Sequence, residues 1–122
     1  MREVVAGASM VPMAGPAPNE ALSELVSLLS EDDVRDLVRL YLNDFPGMVE
    51  ALTHGPEKDH LRLAHSMKSS SQYMGAHALA KVFADLEHRL GIPGEKLTPD
   101  DLKAITTEFD KVAGPLRTFV EP

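Results

Sequence analysis

His65, Lys68, Ser69 and Gln72 stand at i, i+3, i+4 and i+7 within the segment LRLAHSMKSSSQYMGAHAL. On a helix these four side chains share one face, so an imidazole, an ammonium, a hydroxyl and an amide become neighbours. Short side chains surround them: Ser66, Ser69, Ser70 and Ser71. Three serines in a row are poor residues for the middle of a helix, because their hydroxyls compete for backbone hydrogen bonds. Their smallness has a steric use: Ser69 and Ser70 leave the imidazole open to a large partner.

This set suits phosphoryl transfer. An imidazole, with an ordinary pKa of about 6.5, is a competent neutral nucleophile near neutral pH. A phosphorylated imidazole is a high-energy group and can pass its phosphoryl on. The transition state spreads charge over three equatorial oxygens, and positioned donors stabilise it. Lys68 supplies a point charge for those oxygens, and Ser69 and Gln72 supply neutral hydrogen bonds. The sequence has no P-loop, no Gly-rich phosphate loop and no kinase signature. The expected role is therefore a phosphoryl carrier, not an enzyme that takes phosphate from ATP. Leu61, one turn before His65 on the same stripe, is a candidate docking residue for the partner.

Other candidates are weaker. His60 and His65 differ by five positions and face different ways, and His77 and His88 lie three turns apart, too far to share a metal. No histidine pair has the i, i+4 spacing of a metalloprotease helix, so no metal site is expected. His54 sits at a helix end, and His60, His77 and His88 default to surface or helix-end positions. Asp32, Asp33 and Asp36 read as charges favoured at the start of a helix, not as paired acid and base. The serine run lacks a GxSxG turn and an orienting carboxylate, which argues against a hydrolase.

The elements that position the stripe are all helices. Asn19 caps a short first helix with Leu22, Leu25, Val26 and Leu29 on one face. Ser30, with Asp33 three residues on, opens a second helix. Its inward stripe is Val34, Leu37, Val38, Tyr41, Phe45, Met48, Val49 and Leu52. Pro46 predicts a kink or break near Asp44–Phe45, and Gly55-Pro56 ends the helix. The third helix runs from near Glu57 to about Met74, with Leu63, Met67, Ser70 or Ser71, and Met74 inward. Gly75 closes or bends it. The fourth carries Leu79, Phe83, Leu86 and Leu90 and stops at Gly91. Thr98 caps the last helix, with Pro99 at its first position and Leu102, Ile105, Phe109, Val112, Leu116 and Phe119 inward. Gly114 and Pro115 are expected to bend it or end it early. No segment alternates like a strand. Short connections favour antiparallel neighbours, so the expected fold is all-α: an antiparallel four-helix bundle with a short additional N-terminal helix.

The chain has 122 residues, no cysteine and a formal net charge of -7. That length suits one domain, read as residues 19–122 behind a tail at 1–18 broken by Pro12, Pro16 and Pro18. Without cysteine there are no disulfides and no thiolate sites. The acidic balance argues against nucleic acid and against anionic membrane surfaces as partners. The N-terminus lacks the charged start and unbroken apolar run of a signal peptide, so a cytoplasmic location is expected.

AHSMKSSSQYMGA resembles the signature of histidine-containing phosphotransfer (HPt) domains. The likeness is carried by His65, Met67, Lys68, Ser69, Ser70, Ser71, Met74, Gly75 and Ala76, and the layout from about Asn19 to Phe119 agrees with the family's four-helix bundle. The resemblance implies a phosphorelay intermediate in two-component signalling. His65 would be phosphorylated at Nε2, and Lys68 would stabilise the phosphoryl group. The partners would be receiver domains of hybrid histidine kinases and response regulators, which bring the acceptor aspartate and Mg²⁺, so no cofactor is expected on this chain. The family often has glycine where this chain has Ser69, which implies tighter clearance for the receiver. The alternative is a helical adaptor that docks on a receiver without being phosphorylated; such a protein has no need of the histidine that this chain retains.

Overall fold

The computed structural model describes residues 17–121, and every regular element among them is helical. The helices are α1 (Glu20–Leu28), α2 (Glu31–His54), α3 (His60–Tyr73), α4 (His77–Leu90) and α5 (Pro99–Val120); a single 3-10 turn, Glu57–Asp59, leads into α3. Most of the expected tail lies outside the described residues. Its last two residues do not behave as a tail: Ala17 and Pro18 are half-buried, and Ala17 packs against the core.

Side-chain caps set several helix starts. Asn19 Oδ1 accepts from Leu22 N at 2.9 Å, and Ser30 Oγ accepts from Asp33 N at 3.0 Å. Thr98 and Asp101 form a reciprocal capping box, with Thr98 Oγ1 accepting from Asp101 N and Asp101 Oδ2 accepting from Thr98 N. Two arginines of α2 finish the other end of α5. Arg35 Nε donates to Phe119 O at 2.9 Å and Arg39 Nη2 to Val120 O at 3.1 Å, so carbonyls without a partner inside the helix are satisfied across the fold. Arg89, near the end of α4, forms an ion pair with Asp101 in the first turn of α5.

Neither internal proline interrupts its helix. α2 is continuous through Pro46, and α5 runs through Gly114 and Pro115 to Val120. Both prolines are exposed, so water can satisfy the carbonyls that lose a backbone donor, and the buried side of each helix stays intact. The expected break near Asp44–Phe45 and the expected early end of α5 are therefore not found.

α3 packs on α4, α4 on α5, α5 on α2 and α2 on α3, closing a ring around the core, while α1 lies against α2 and α3. Phe45 stacks on Phe109 with ring centroids 3.7 Å apart, and Phe83 meets Phe45 edge-on at 6.4 Å. Ala64 and Ala113 are also fully enclosed, which lets α3 and α5 approach their neighbours closely. Two expected core residues lie elsewhere: Leu37 is 42% and Leu29 43% exposed. Of the two serines considered for the interior, Ser71 is the buried one, and its hydroxyl hydrogen-bonds Tyr41 Oη at 2.8 Å.

α3 meets α4 at a tight turn. Gly75 has φ +77, a conformation that favours glycine, and a Cβ there would come within 2.3 Å of the Asn19 side chain. Asn19 Nδ2 donates to Met74 O at 2.9 Å. One asparagine thus caps α1 and fastens it to the end of α3.

Candidate functional site

His65 lies in the middle of α3, with its side chain 63% exposed. Lys68 follows one turn later on the side of α3 that faces α4. Both point to Glu87 of α4. Glu87 Oε2 lies 2.5 Å from His65 Nδ1, and Glu87 Oε1 lies 2.7 Å from Lys68 Nζ. One carboxylate therefore holds both candidate residues.

This contact fixes the chemistry of the ring. The Lys68 ammonium, and after it His65, hold the Glu87 carboxyl below the usual carboxylate range against a smaller opposing effect of desolvation. An ionised carboxylate can only accept, so His65 Nδ1 carries a proton and donates it to Glu87. In the neutral imidazole, Nε2 is then the free lone pair. It points away from Glu87, since the two nitrogens face opposite sides of the ring. A nucleophilic nitrogen is presented at the surface, with an ammonium one turn away.

The rest of the expected set is placed as follows. Ser69 is half-buried one turn from His65, and Gln72 is exposed nearly two turns along. Ser70 points to the opposite side of α3 from Lys68 and lines a groove with Ser66 and Tyr73. Leu61 is 43% exposed, and it borders a separate, smaller hollow beside Ile92 and Glu95. His54, His77 and His88 are exposed. His60 opens α3, the helix-end position expected of it, and both of its ring nitrogens are buried without a hydrogen-bond partner. Among the described residues, no group of three or more histidines and carboxylates is placed to hold a metal ion, and no helix is long and apolar enough to cross a membrane.

Glu87 is the residue that the reading of the sequence missed. It lies on a different helix, and nothing in its local pattern distinguishes it from any surface glutamate. Register could have found it. His65 and Glu87 lie equally far, eleven residues, on either side of Ala76. A tight turn centred there brings them opposite each other on two paired helices.

Among the described residues, an all-helical domain thus presents an exposed imidazole and an ammonium held together by one carboxylate. The chain matches the family model described as Hpt domain over residues 19–114, and it belongs to that family. Members are phosphocarriers in two-component signalling, not kinases, and they interact with receiver domains. No match to a curated protein or to a solved structure was found.

Proposed function

We propose that this protein is a phosphorelay intermediate that takes a phosphoryl group onto His65 from a receiver-domain aspartate and gives it to another receiver. The observation that carries the reading is the Glu87–His65 contact, which leaves Nε2 as the free, outward nitrogen. In the forward step, the Nε2 lone pair attacks phosphorus, the N–P bond forms, and the acyl phosphate P–O bond breaks to release the aspartate carboxylate. Nδ1 keeps its proton, and the positive charge the ring gains faces Glu87. The return step breaks the N–P bond to a second carboxylate. The protein is then a phosphoprotein for part of each cycle.

Lys68 moves in this reading from Glu87 to the incoming phosphoryl oxygens, a short swing for a flexible side chain. Ser69 and Gln72 add neutral donors on the same face, and Ser69 and Ser70 keep the approach low. Mg²⁺ belongs to the receiver, and this chain needs no cofactor of its own. The four longer helices, joined by short connections, are taken to form an antiparallel bundle with α1 as the additional helix, in a domain spanning 19–122 that works in the cytoplasm.

The test is direct. The protein is incubated with a receiver carrying radiolabelled aspartyl phosphate. The wild type gains an acid-labile, alkali-stable label, and His65→Gln does not. A folded wild type that stays unlabelled with every receiver tried refutes the reading.

A further inference from the structure

Apart from its histidines, α3 carries two cationic side chains, Arg62 and Lys68, placed three residues before and three residues after His65. At about 100° per residue around a helix, they fall on opposite sides of the histidine, each roughly 60° away. Lys68 is on the α4 side, where its ammonium lies 2.7 Å from Glu87 Oε1 and its side chain is 26% exposed. Arg62 is on the other side, with its side chain 68% exposed. Among the described residues its one charged partner is Asp59, whose Oδ1 lies 3.6 Å from Arg62 Nη2, beyond hydrogen-bond length. Such an exposed pair holds its members weakly.

The Glu87 bond decides which of these cations a group on Nε2 meets. It draws Nδ1 toward α4, so Nε2 is turned to the side on which Arg62 stands. Helix side chains also lean toward the N-terminus. The imidazole therefore reaches over the preceding turn, the one that carries Arg62, and away from the turn that carries Lys68. Arg62 and His65 are ~4.5 Å apart along the axis at ~1.5 Å per residue, within the span of an arginine side chain. Charge points the same way. A phosphorylated side chain carries about −1.5 to −2 at neutral pH. The positive charge of the phosphorylated ring faces Glu87, and the same carboxylate is already paired with Lys68. Moving Lys68 to the phosphoryl oxygens takes it from a 2.7 Å ion pair, whereas Arg62 gives up only a 3.6 Å contact.

We infer that Arg62 is a phosphoryl-binding residue of this site: its guanidinium leaves Asp59, and its planar fork takes two oxygens of the phosphoryl group on Nε2. The inference rests on the proposed carrier function and adds a second cation to Lys68. The two divide the site by position. Lys68 serves the edge of the ring that faces α4, and Arg62 serves the open edge, where Nε2 is presented. Ser66 and Ser69 fall on the Arg62 side of His65 and are short enough to leave the guanidinium room. Arg62 makes and breaks no bond to phosphorus. It offsets the charge that the equatorial oxygens carry as the phosphoryl group arrives and leaves.

The experiment compares Arg62→Gln and Arg62→Lys with the wild type, using two kinds of phosphodonor. One is phosphoramidate, a small molecule that passes its phosphoryl group to imidazole with release of ammonia and needs no docking. The other is a panel of receiver domains phosphorylated with acetyl phosphate. Arg62→Gln is expected to lose about tenfold in rate with both kinds of donor, the low end for a hydrogen bond to a charged group. Arg62→Lys keeps the charge without the fork and should fall between. Proton–nitrogen correlation NMR supplies a reading that a purely structural role does not move. The Arg62 Nε–H resonance, assigned by its absence from Arg62→Lys, shifts when the wild type is phosphorylated. Circular dichroism melts verify folding, and where Arg62→Gln melts early, Arg62→Lys and the resonance carry the test. Arg62→Gln rates within about twofold of wild type with phosphoramidate, the scale of an ordinary exposed ion pair, overturn the inference. So does a loss confined to the receivers, which makes Arg62 a contact of the partner. So does an Arg62 resonance that phosphorylation leaves in place. If the wild type takes label neither from phosphoramidate nor from any receiver, the carrier reading itself fails; a labelled wild type with an unaltered Arg62→Gln sinks only the role of Arg62.

Discussion

Glu87 Oε2 lies 2.5 Å from His65 Nδ1, so a residue of α4 selects which nitrogen of a residue on α3 is free to react. The consequence is measurable. Glu87→Ala removes the acceptor, and the ring is free to rotate and to protonate at either nitrogen. Transfer from a phosphorylated receiver to Glu87→Ala is expected to slow by about 10- to 100-fold, the scale seen when groups that orient a ligating imidazole are removed. The melting temperature should move little, since the contact is at the surface. Stopped-flow or rapid-quench transfer assays, paired with thermal melts, check both halves. A wild-type rate in Glu87→Ala would remove its positioning role.

Lys68 and His65 share that same carboxylate, so their effects should not add. In Lys68→Ala, the negative charge of Glu87 is left without its ammonium partner while an anionic phosphoryl group arrives on the same imidazole. Removing Glu87 as well relieves the repulsion while losing the orientation of the ring. The double variant Lys68→Ala/Glu87→Ala is therefore expected to transfer faster than the product of the two single effects, with a coupling of about 0.5–3 kcal/mol. Phosphohistidine lifetimes in the four proteins of this cycle give the same coupling for the product state. Simple additivity in both would show that the 2.7 Å ion pair has no part in the chemistry.

The site should also respond to acid with a definite sign. The Glu87 carboxyl is held below its ordinary value of 4.5, chiefly by Lys68 and then by His65. A lowered folded-state value means that the folded protein holds its proton less tightly than the unfolded chain does. The contribution is thus fully present above about pH 4.5 and is lost as pH falls through the lowered value. Asp101 is lowered in the same direction, mainly by Arg89, so the whole protein loses stability over this range. The difference between wild type and Glu87→Gln isolates the site. Urea unfolding across this pH range should show a small gap at neutral pH, in keeping with a surface contact, that closes in acid. A gap that stays constant would separate Glu87 ionisation from stability.

Much of this was legible beforehand because it is local. The stripe of His65, Lys68, Ser69 and Gln72 follows from helical spacing, and the caps at Asn19, Ser30 and Thr98 follow from side-chain chemistry next to the backbone they satisfy. What escaped depends on which way an element faces. Pro46 and Pro115 looked like breaks because a proline deletes one hydrogen bond, yet both sit on solvent faces where that loss is cheap. Leu37 fits the apolar period of α2, but it lies at the edge of the stripe, where the chain leaves a groove open. Glu87 was invisible for the strongest reason: its role exists only after α3 and α4 are set in register, and register is a tertiary property.

Gly75 is the residue that sets that register. Its φ of +77 and the Asn19 side chain 2.3 Å from where a Cβ would stand leave room for hydrogen alone. Gly75→Ala is expected to cost about 2–3 kcal/mol, combining left-handed backbone strain with displacement of the α1 cap. Asn19→Ala alone should cost about 1 kcal/mol. Asn19→Ala/Gly75→Ala should be less destabilised than the sum, since the clash is gone and only the strain remains. Denaturant melts of the four proteins measure this. Strict additivity would mean that Asn19 gives way freely when a methyl group is placed at Gly75.

The buried Tyr41–Ser71 pair supplies the last test, far from the phosphoryl chemistry. Tyr41 is 6% exposed and Ser71 fully enclosed, and their hydroxyls meet at 2.8 Å. Burial raises the Tyr41 phenol from 10.0 to about 12, with the Ser71 hydrogen bond acting in the opposite direction. A raised folded-state value places the sign opposite to that of Glu87: the stabilisation is full below pH 10 and is lost as pH rises toward about 12, because the unfolded chain ionises first. Tyr41→Phe should flatten that alkaline decline. At neutral pH it leaves the Ser71 hydroxyl buried and unpaired, at a cost of about 1–3 kcal/mol. Tyr41→Phe/Ser71→Ala removes both partners and should regain part of that loss. Unfolding free energies at neutral and alkaline pH for the three proteins decide the matter. A wild-type alkaline slope in Tyr41→Phe would show that Tyr41 is not the group whose ionisation the fold resists.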